Sequence, residues 1–225
     1  SDYSFRAPIF HPWNPPEPYT GTGRSYAEKT PYPYLSGRWG SIWLYHEIDI
    51  NAMRTYDLLC AGDQLEKLSA ELGHDVRAQI EHDLLREMVR FVLTYPVYLN
   101  NMTPTLSRGL ITAGRVLGVP DYVHIGVGAM QDLVAEQFFA DGMWLEGTLS
   151  YHQQTVLGLR SALGLAEGCT DPPGYVFATD GARFDDLRVL RDLPAVARSI
   201  GVAASFAYPD GTHLCTHDTW SMPME

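Results

Sequence analysis

The sequence lacks the features that define several large classes of protein. Its three cysteines, Cys60, Cys169 and Cys215, are far apart and show no CxxC spacing, which argues against a zinc cluster or a disulfide framework and leaves a single disulfide open. No run approaches the roughly 18 apolar residues of a membrane span. Basic residues are scarce, since 16 Lys and Arg stand against 27 Asp and Glu, for a net charge of −11. A general nucleic-acid binder needs a basic face. We therefore expect neither a membrane nor a nucleic acid as partner.

Sustained alternation of apolar and polar residues is also missing, as are a glycine-rich phosphate loop and a βαβ rhythm. These absences exclude a sheet-based nucleotide enzyme. What is present is a 3.6-residue apolar period, broken by Gly and Pro stops. It predicts six helices, at approximately 44–59, 80–92, 106–117, 123–138, 151–168 and 185–200. One weak strand is predicted near 203–208. The expected fold class is all-α, with neighbouring helices antiparallel.

The first forty residues differ from the rest in composition. HPWNPPEPYTGTG and TPYPYLSGRWG are too rich in proline for helix, so residues 1–40 are predicted to be an extended N-terminal arm, followed by one helical domain over 41–225. The arm either wraps the domain or presents Trp39 and neighbouring aromatic rings to sugars. The chain begins Ser-Asp-Tyr and ends SMPME, and we expect it to be an excerpt of a longer protein from which a leader was removed.

Four polar clusters are candidates for chemistry. They are Tyr45-His46-Glu47, the segment 99–102, the segment DGMWLEGTLSYHQQ over 141–154, and DGTHLCTHD over 210–218. Taken singly, each has a structural explanation: an Asn-Asn pair before Thr-Pro is typical of a helix cap or an Asx turn. His213 and His217 are four residues apart, as metal ligands on a helix can be, but Asp210-Gly211 predicts a turn there, so we expect no metal.

In order along the chain, these motifs resemble the helical domain of heparinase II/III-like and alginate-lyase-like polysaccharide lyases. In that family an Asn precedes a helix-ending Gly by the thirteen residues that separate Asn101 from Gly114, and a "DG…EG…YH" block follows. Here Asp141-Gly142, Glu146-Gly147 and Tyr151-His152 supply that block. GRWGSIWLYHEIDINAMRTYDLL and PDGTHLCTHD are similar to flanking family segments, so the resemblance covers roughly residues 37–220.

The resemblance implies an α/α toroid, here incomplete, that is normally followed by a β-sandwich domain of the same chain. It also implies cleavage of a uronic-acid polymer, such as alginate or a glycosaminoglycan, by β-elimination without a cofactor, in a secreted or periplasmic protein. Two features depart from the family pattern. The family Asn is often followed by His or Trp, whereas Asn100-Asn101-Met102 stands here. The family histidine of the β-sandwich has no counterpart, and His217 is not assigned to its role.

The residue types fit this chemistry. An Asn amide can hydrogen-bond the uronate carboxylate without repelling it, a role assigned to Asn101 or else Asn100. Tyr151 is the predicted base and acid, and His152 is placed beside it to position or polarise it. The predicted substrate-binding residues are Trp144, Glu146, Arg108 and Trp39.

Two alternatives stay open. One is an α/α-toroid glycoside hydrolase, for which Glu146 paired with Asp141 or Glu47 would supply the two carboxylates. The other is a non-catalytic carbohydrate-binding module.

Overall fold

The computed structural model describes most of the chain between residues 46 and 202, and shorter pieces on either side. The described residues are 9–10, 35–37, 40–42, 46–93, 99–192, 194–202, 208–210, 212 and 215–216. They are mostly helical, which confirms the coarse fold prediction. The chain forms two compact units, one of Ser1–Tyr98 with Thr112–Val119 and the other of Leu99–Ile111 with Pro120–Glu225. The predicted division into an arm over 1–40 and a domain over 41–225 stays a prediction.

The first unit begins with four short strands that the sequence pattern did not predict. They are β1 Ile9–Phe10, β2 Leu35–Gly37, β3 Gly40–Ile42 and β4 His46–Ile48, antiparallel in the order β1-β2-β3-β4. The helix predicted from residue 44 begins later, at Ile50. Asp49 accounts for the difference, because its backbone is extended and its side chain accepts hydrogen bonds from the N–H groups of Asn51 and Ala52. This N-cap ends the strand and starts the helix.

Helices follow these strands in the described part of the first unit. They are α1 Ile50–Ala61, α2 Gln64–Leu72, α3 Val76–Gln79, a π-helical segment Ile80–Arg86, and α4 Glu87–Leu93. The predicted helix at 80–92 is therefore present, with a π-helical turn at its start. Met53, Leu85 and Met88 are fully buried and form the centre of this unit. Tyr56 donates a hydrogen bond to Glu81 across it, and the pKa of Tyr56 is raised, chiefly by burial.

Longer helices follow. They are α5 Thr103–Leu117, α6 Pro120–Gln137, α7 Leu149–Ala166, α8 Val189–Asp192 and α9 Pro194–Gly201. The predicted helices at 106–117, 123–138 and 151–168 correspond to α5, α6 and α7. The helix predicted over 185–200 is divided, since residues 185–188 precede α8 and Pro194 begins α9. Most of the weak strand predicted at 203–208 lies outside the described residues.

The second unit has an apolar core formed by α5, α6, α7, the loop between α6 and α7, and the segment that follows α7. Its buried members are Ile111, Val123, Val127, Met130, Leu133, Val134, Trp144, Leu159, Ala162, Leu163, Ala166 and Leu187. In the described part of the chain, no helix has the length and apolar character needed to cross a bilayer.

Close approach of two helices explains one glycine in α6. A Cβ built on Gly126 would lie 2.9 Å from Ile111 Cγ1 and 3.0 Å from the Ser107 carbonyl oxygen, whereas Gly128 in the same helix has nothing within 4 Å of that position. Helix α5 therefore packs directly on the backbone of α6.

Replacing these two glycines by alanine should have opposite effects. Gly126→Ala adds a methyl group where no space exists and should lower the free energy of unfolding by about 1–3 kcal/mol. Gly128→Ala improves helix propensity in open space and should raise it by up to about 1 kcal/mol. Urea unfolding followed by circular dichroism measures both. Equal effects of the two substitutions would contradict the close packing of α5 on α6.

Candidate functional site

The segment between α6 and α7 is an ordered loop held by its own hydrogen bonds. We call residues 141–148 the Asp141 loop. Asp141 Oδ1 accepts the Met143 N–H at 2.9 Å, and the Gly142 N–H donates to the Phe139 carbonyl at 2.8 Å. The Gly147 N–H closes a second turn on the Trp144 carbonyl at 3.0 Å. These bonds fix the course of the backbone from α6 to the start of α7.

Gly142 seats this loop on α9. Its φ of 93° lies in the left-handed region that favours glycine. A Cβ at this position would also come within 2.9 Å of Val202 Cγ2 and 3.1 Å of Ser199 Cα. The loop backbone and α9 are therefore in direct contact, and only glycine fits between them.

His152 joins the Asp141 loop to α7 from the inside. The side chain is fully buried, and its Nδ1 accepts the backbone N–H of Trp144 at 3.1 Å. Because Nδ1 accepts, the proton of the neutral ring is assigned to Nε2. Among the described residues Nε2 has no hydrogen-bond partner of normal length. Burial lowers the pKa of His152, whereas the nearby backbone of Ser199 raises it. Burial dominates and lowers the pKa of His152 below its usual 6.5.

Trp144 belongs to the core, which corrects the prediction that it binds substrate. Its side chain is 1% exposed, so no face of the indole is open for stacking on a sugar. The ring meets Phe138 edge-on at 5.2 Å, and its Nε1 donates to Glu146 Oε2 at 2.9 Å. Glu146 is exposed, as a substrate contact requires, and its carboxylate is held by that indole N–H.

Tyr151 lies in the first turn of α7, beside His152 in sequence but on a different side of the helix. Thr148 is the N-cap of α7; its backbone is extended, and its carbonyl accepts the His152 N–H at 3.0 Å. The Tyr151 ring is half-buried and packs against the edge of the apolar core. Successive helical residues point about 100° apart, so His152 faces inward while Tyr151 lies at the boundary with solvent.

The Asn-Asn pair forms the turn before α5. Asn100 Oδ1 accepts the Met102 N–H at 2.7 Å, and the Asn100 N–H donates to Thr103 Oγ1 at 2.9 Å. The Asn100 side chain therefore forms an Asx turn. The neighbouring Asn101 is half-buried and its side chain has no hydrogen-bond partner in the described part of the chain. Of the two, Asn101 is the amide that is available to a ligand.

One face of α7 lies against this turn. Gln154 Nε2 is 3.6 Å from Met102 Sδ, and a Cβ on Gly158 would lie 2.8 Å from Pro104 Cβ. Tyr151, Gln154 and Gly158 follow i, i+3, i+7 spacing and so share a face of the helix. The turn that carries Asn101 is thus next to the helix that carries Tyr151. That their two side chains line one cleft stays a prediction, since these contacts join their neighbours.

The structure describes only some of the other predicted site residues. Arg108 is half-buried on α5, while Trp39 and the side chain of Glu47 lie outside the described residues. Asp210 Oδ1 accepts both the N–H and the hydroxyl of Thr212, which agrees with the predicted turn. His213 and His217 lie outside the described residues. Within the described ranges no group of three His, Cys, Asp or Glu is arranged to hold a metal ion.

Sequence reasoning missed a buried pair between α6 and the loop after α7. His124 Nε2 lies 2.9 Å from Asp171 Oδ2, with side chains 2% and 5% exposed. The His124 ring stacks on Phe184 at 3.8 Å, and Asp171 also accepts the Phe184 N–H at 2.6 Å. Forty-seven residues separate the partners, and no local pattern marks them. Their enclosure by aromatic rings indicates that they hold the loop on α6.

The buried neutral His152 predicts a stability that falls with acid. Its pKa is lowered in the folded state, so its contribution is present above pH 6.5 and is lost as the pH falls through the folded pKa. Over that interval the slope should approach about 1.4 kcal/mol per pH unit, the limit for one proton. Urea unfolding between pH 7.5 and 4.5 measures it.

His152→Asn should flatten this pH dependence, because Asn Oδ1 can accept the Trp144 N–H but does not titrate. The exposed His82 supplies the matched control, and His82→Asn should keep the wild-type slope. A wild-type slope retained in His152→Asn would contradict the assignment.

Comparison of the chain with known proteins found no relative. No family model, curated protein or solved structure matches the chain. The candidate site is therefore defined by its own residues and contacts.

Proposed function

We propose that this chain is a polysaccharide lyase that cleaves a uronic-acid polymer by β-elimination, with Tyr151 as base and acid and Asn101 as the group that neutralises the substrate carboxylate. The observation that carries the proposal is the contact of the Asn101 turn with the Tyr151 face of α7, through Met102 and Gln154. The half-buried Tyr151 and Asn101, whose amide has no hydrogen-bond partner among the described residues, are therefore carried by adjoining elements.

The chemistry assigns a separate task to each residue. The C5 proton of the uronate leaves to the phenolate oxygen of Tyr151, which becomes a hydroxyl. The C5 electron pair forms the C4–C5 double bond, and the C4–O bond breaks towards the departing sugar. Charge builds on the adjacent carboxylate as the C5–H bond breaks, and the N–H donors of Asn101 stabilise it there. The Tyr151 hydroxyl then returns the proton to the departing oxygen. Tyrosine suits both steps because its oxygen can accept and donate.

Charge also favours amides at this place. The chain carries a net charge of −11, and an anionic polymer would be repelled by a site built from carboxylates. Asn100, Asn101 and Gln154 present neutral hydrogen-bonding groups instead. Arg108 on α5 is the cation that we assign to the substrate carboxylates.

The wider architecture belongs to the same proposal. The described helices form part of an α/α toroid, a β-sandwich domain of the same chain completes the site with a histidine, and the protein is secreted or periplasmic. The helical content and the order of the sequence motifs support this proposal.

Removing one oxygen atom tests the role of Tyr151. Tyr151→Phe keeps the ring that packs on the core, so the fold should be retained and the rate of elimination should fall by about 10⁴-fold, the upper range for general acid–base catalysis. The assay is the ultraviolet absorbance of 4,5-unsaturated uronate products from alginate and glycosaminoglycan polymers. Tyr122, half-buried on α6, supplies the matched control, and Tyr122→Phe should keep the wild-type rate.

Two outcomes would contradict this assignment. A Tyr151→Phe variant that keeps more than about a tenth of the wild-type rate would fall outside the range for acid–base catalysis. New reducing ends without absorbance would indicate a hydrolase, and binding without either signal would indicate a carbohydrate-binding module.

A pair of aspartate substitutions separates the roles of the two asparagines. Asn101→Asp places a negative charge against the substrate carboxylate and should lower kcat/KM by about 10²-fold or more, the effect of losing one transition-state donor. Asn100→Asp keeps an oxygen that accepts the Met102 N–H and should preserve both the turn and most of the activity. Steady-state kinetics with a thermal melt for each variant measures this. The reverse pattern would move the role to Asn100.

A further inference from the structure

Gln154 lies on the face of α7 that adjoins the turn carrying Asn101. It follows Tyr151 by three residues on the same face of α7, and it contacts Met102, the residue after Asn101. One turn further along, Gly158 meets Pro104 so closely that no side chain fits between them.

The amide of Gln154 is only weakly engaged. Its Nε2 lies 3.6 Å from the Met102 thioether, which is a weak acceptor, and the side chain is exposed. A sugar hydroxyl or carboxylate would be a better partner than sulfur for the same N–H group. The position of Met102 is in turn fixed by the Asn100 side chain, so Gln154 extends beside an ordered turn.

We propose that Gln154 is a substrate-binding residue that selects an anionic sugar, its amide donating to the uronate unit held between Asn101 and Tyr151. The proposal rests on the proposed function and adds a specificity residue to it. A glutamine at this position can donate to a carboxylate, whereas a glutamate of the same shape would repel it.

The test compares two isosteric substitutions with the same change of net charge. Gln154→Glu should raise KM for a uronate tetrasaccharide at least about fivefold, the effect of one like-charge contact at about 4 Å in water. The rise should shrink as salt is added. Gln153→Glu places its charge on a different side of α7, farther from the substrate carboxylate, and should therefore change KM less than about twofold. Both variants should keep the wild-type thermal midpoint.

Calorimetric binding in the Tyr151→Phe background separates this proposal from the proposed function. Loss of tetrasaccharide affinity in Gln154→Glu but not in Gln153→Glu supports the role of Gln154, whether or not the wild-type chain forms unsaturated product. Equal affinity in both variants, or equal loss in both, overturns it. Normal tetrasaccharide binding without unsaturated product in the wild-type chain overturns the proposed function alone, and a wild-type chain that binds no uronate tetrasaccharide overturns both.

Discussion

The hydrogen bond from the Trp144 N–H to His152 Nδ1 is the contact on which the candidate site depends. It satisfies a backbone donor deep in the core, where an unsatisfied donor costs about 1–3 kcal/mol. It also connects the Asp141 loop to the first turn of α7. Because Tyr151 directly precedes His152, the bond that fixes the buried ring also fixes the backbone that carries the phenol. The core and the candidate site are therefore coupled through two adjacent residues.

The division of α7 into two working faces explains why two titratable rings stand side by side. One face carries His152, Leu159 and Ala162 into the core. The other carries Gln154, which contacts Met102 in the turn that holds Asn101, and Tyr151, which packs at the edge of the core. A strand would send adjacent side chains to opposite sides of a sheet, whereas a helix turns them by about 100°. Neighbouring residues of α7 can thus serve packing and chemistry at the edge of the same core.

The sequence predicted those parts of the structure that local patterns determine. Helices α5, α6 and α7 follow the apolar period. Helices α5 and α7 end near Gly118 and Gly168, both of which adopt positive φ. The start of α1 was placed wrongly because Ile48 fits an apolar helical face as well as a strand, and only the capping side chain of Asp49 decides between them.

Within the site, the identities of Tyr151 and Asn101 came from motif order, but their surroundings did not. Trp144 was expected to bind substrate, whereas it belongs to the core. Its burial depends on Phe138 and on the acceptor supplied by Glu146. The pairing of His124 with Asp171 is a tertiary contact, and neither residue carries a local signal of its partner. Such long-range pairings require the folded chain.

The closure of the Asp141 loop by distant segments has a consequence for the order of folding. Thr216 Oγ1 donates to the Gly147 carbonyl at 2.8 Å across 69 residues, and Gly142 packs on Val202 of the segment at the end of α9. Contacts of such sequence separation carry a larger loop-closure entropy than helix formation and form late. During synthesis, helices α6 and α7 emerge from the ribosome well before the segments that enclose their connecting loop. The helical scaffold can therefore form first, and the loop that positions Tyr151 acquires its final shape only when the later segments dock.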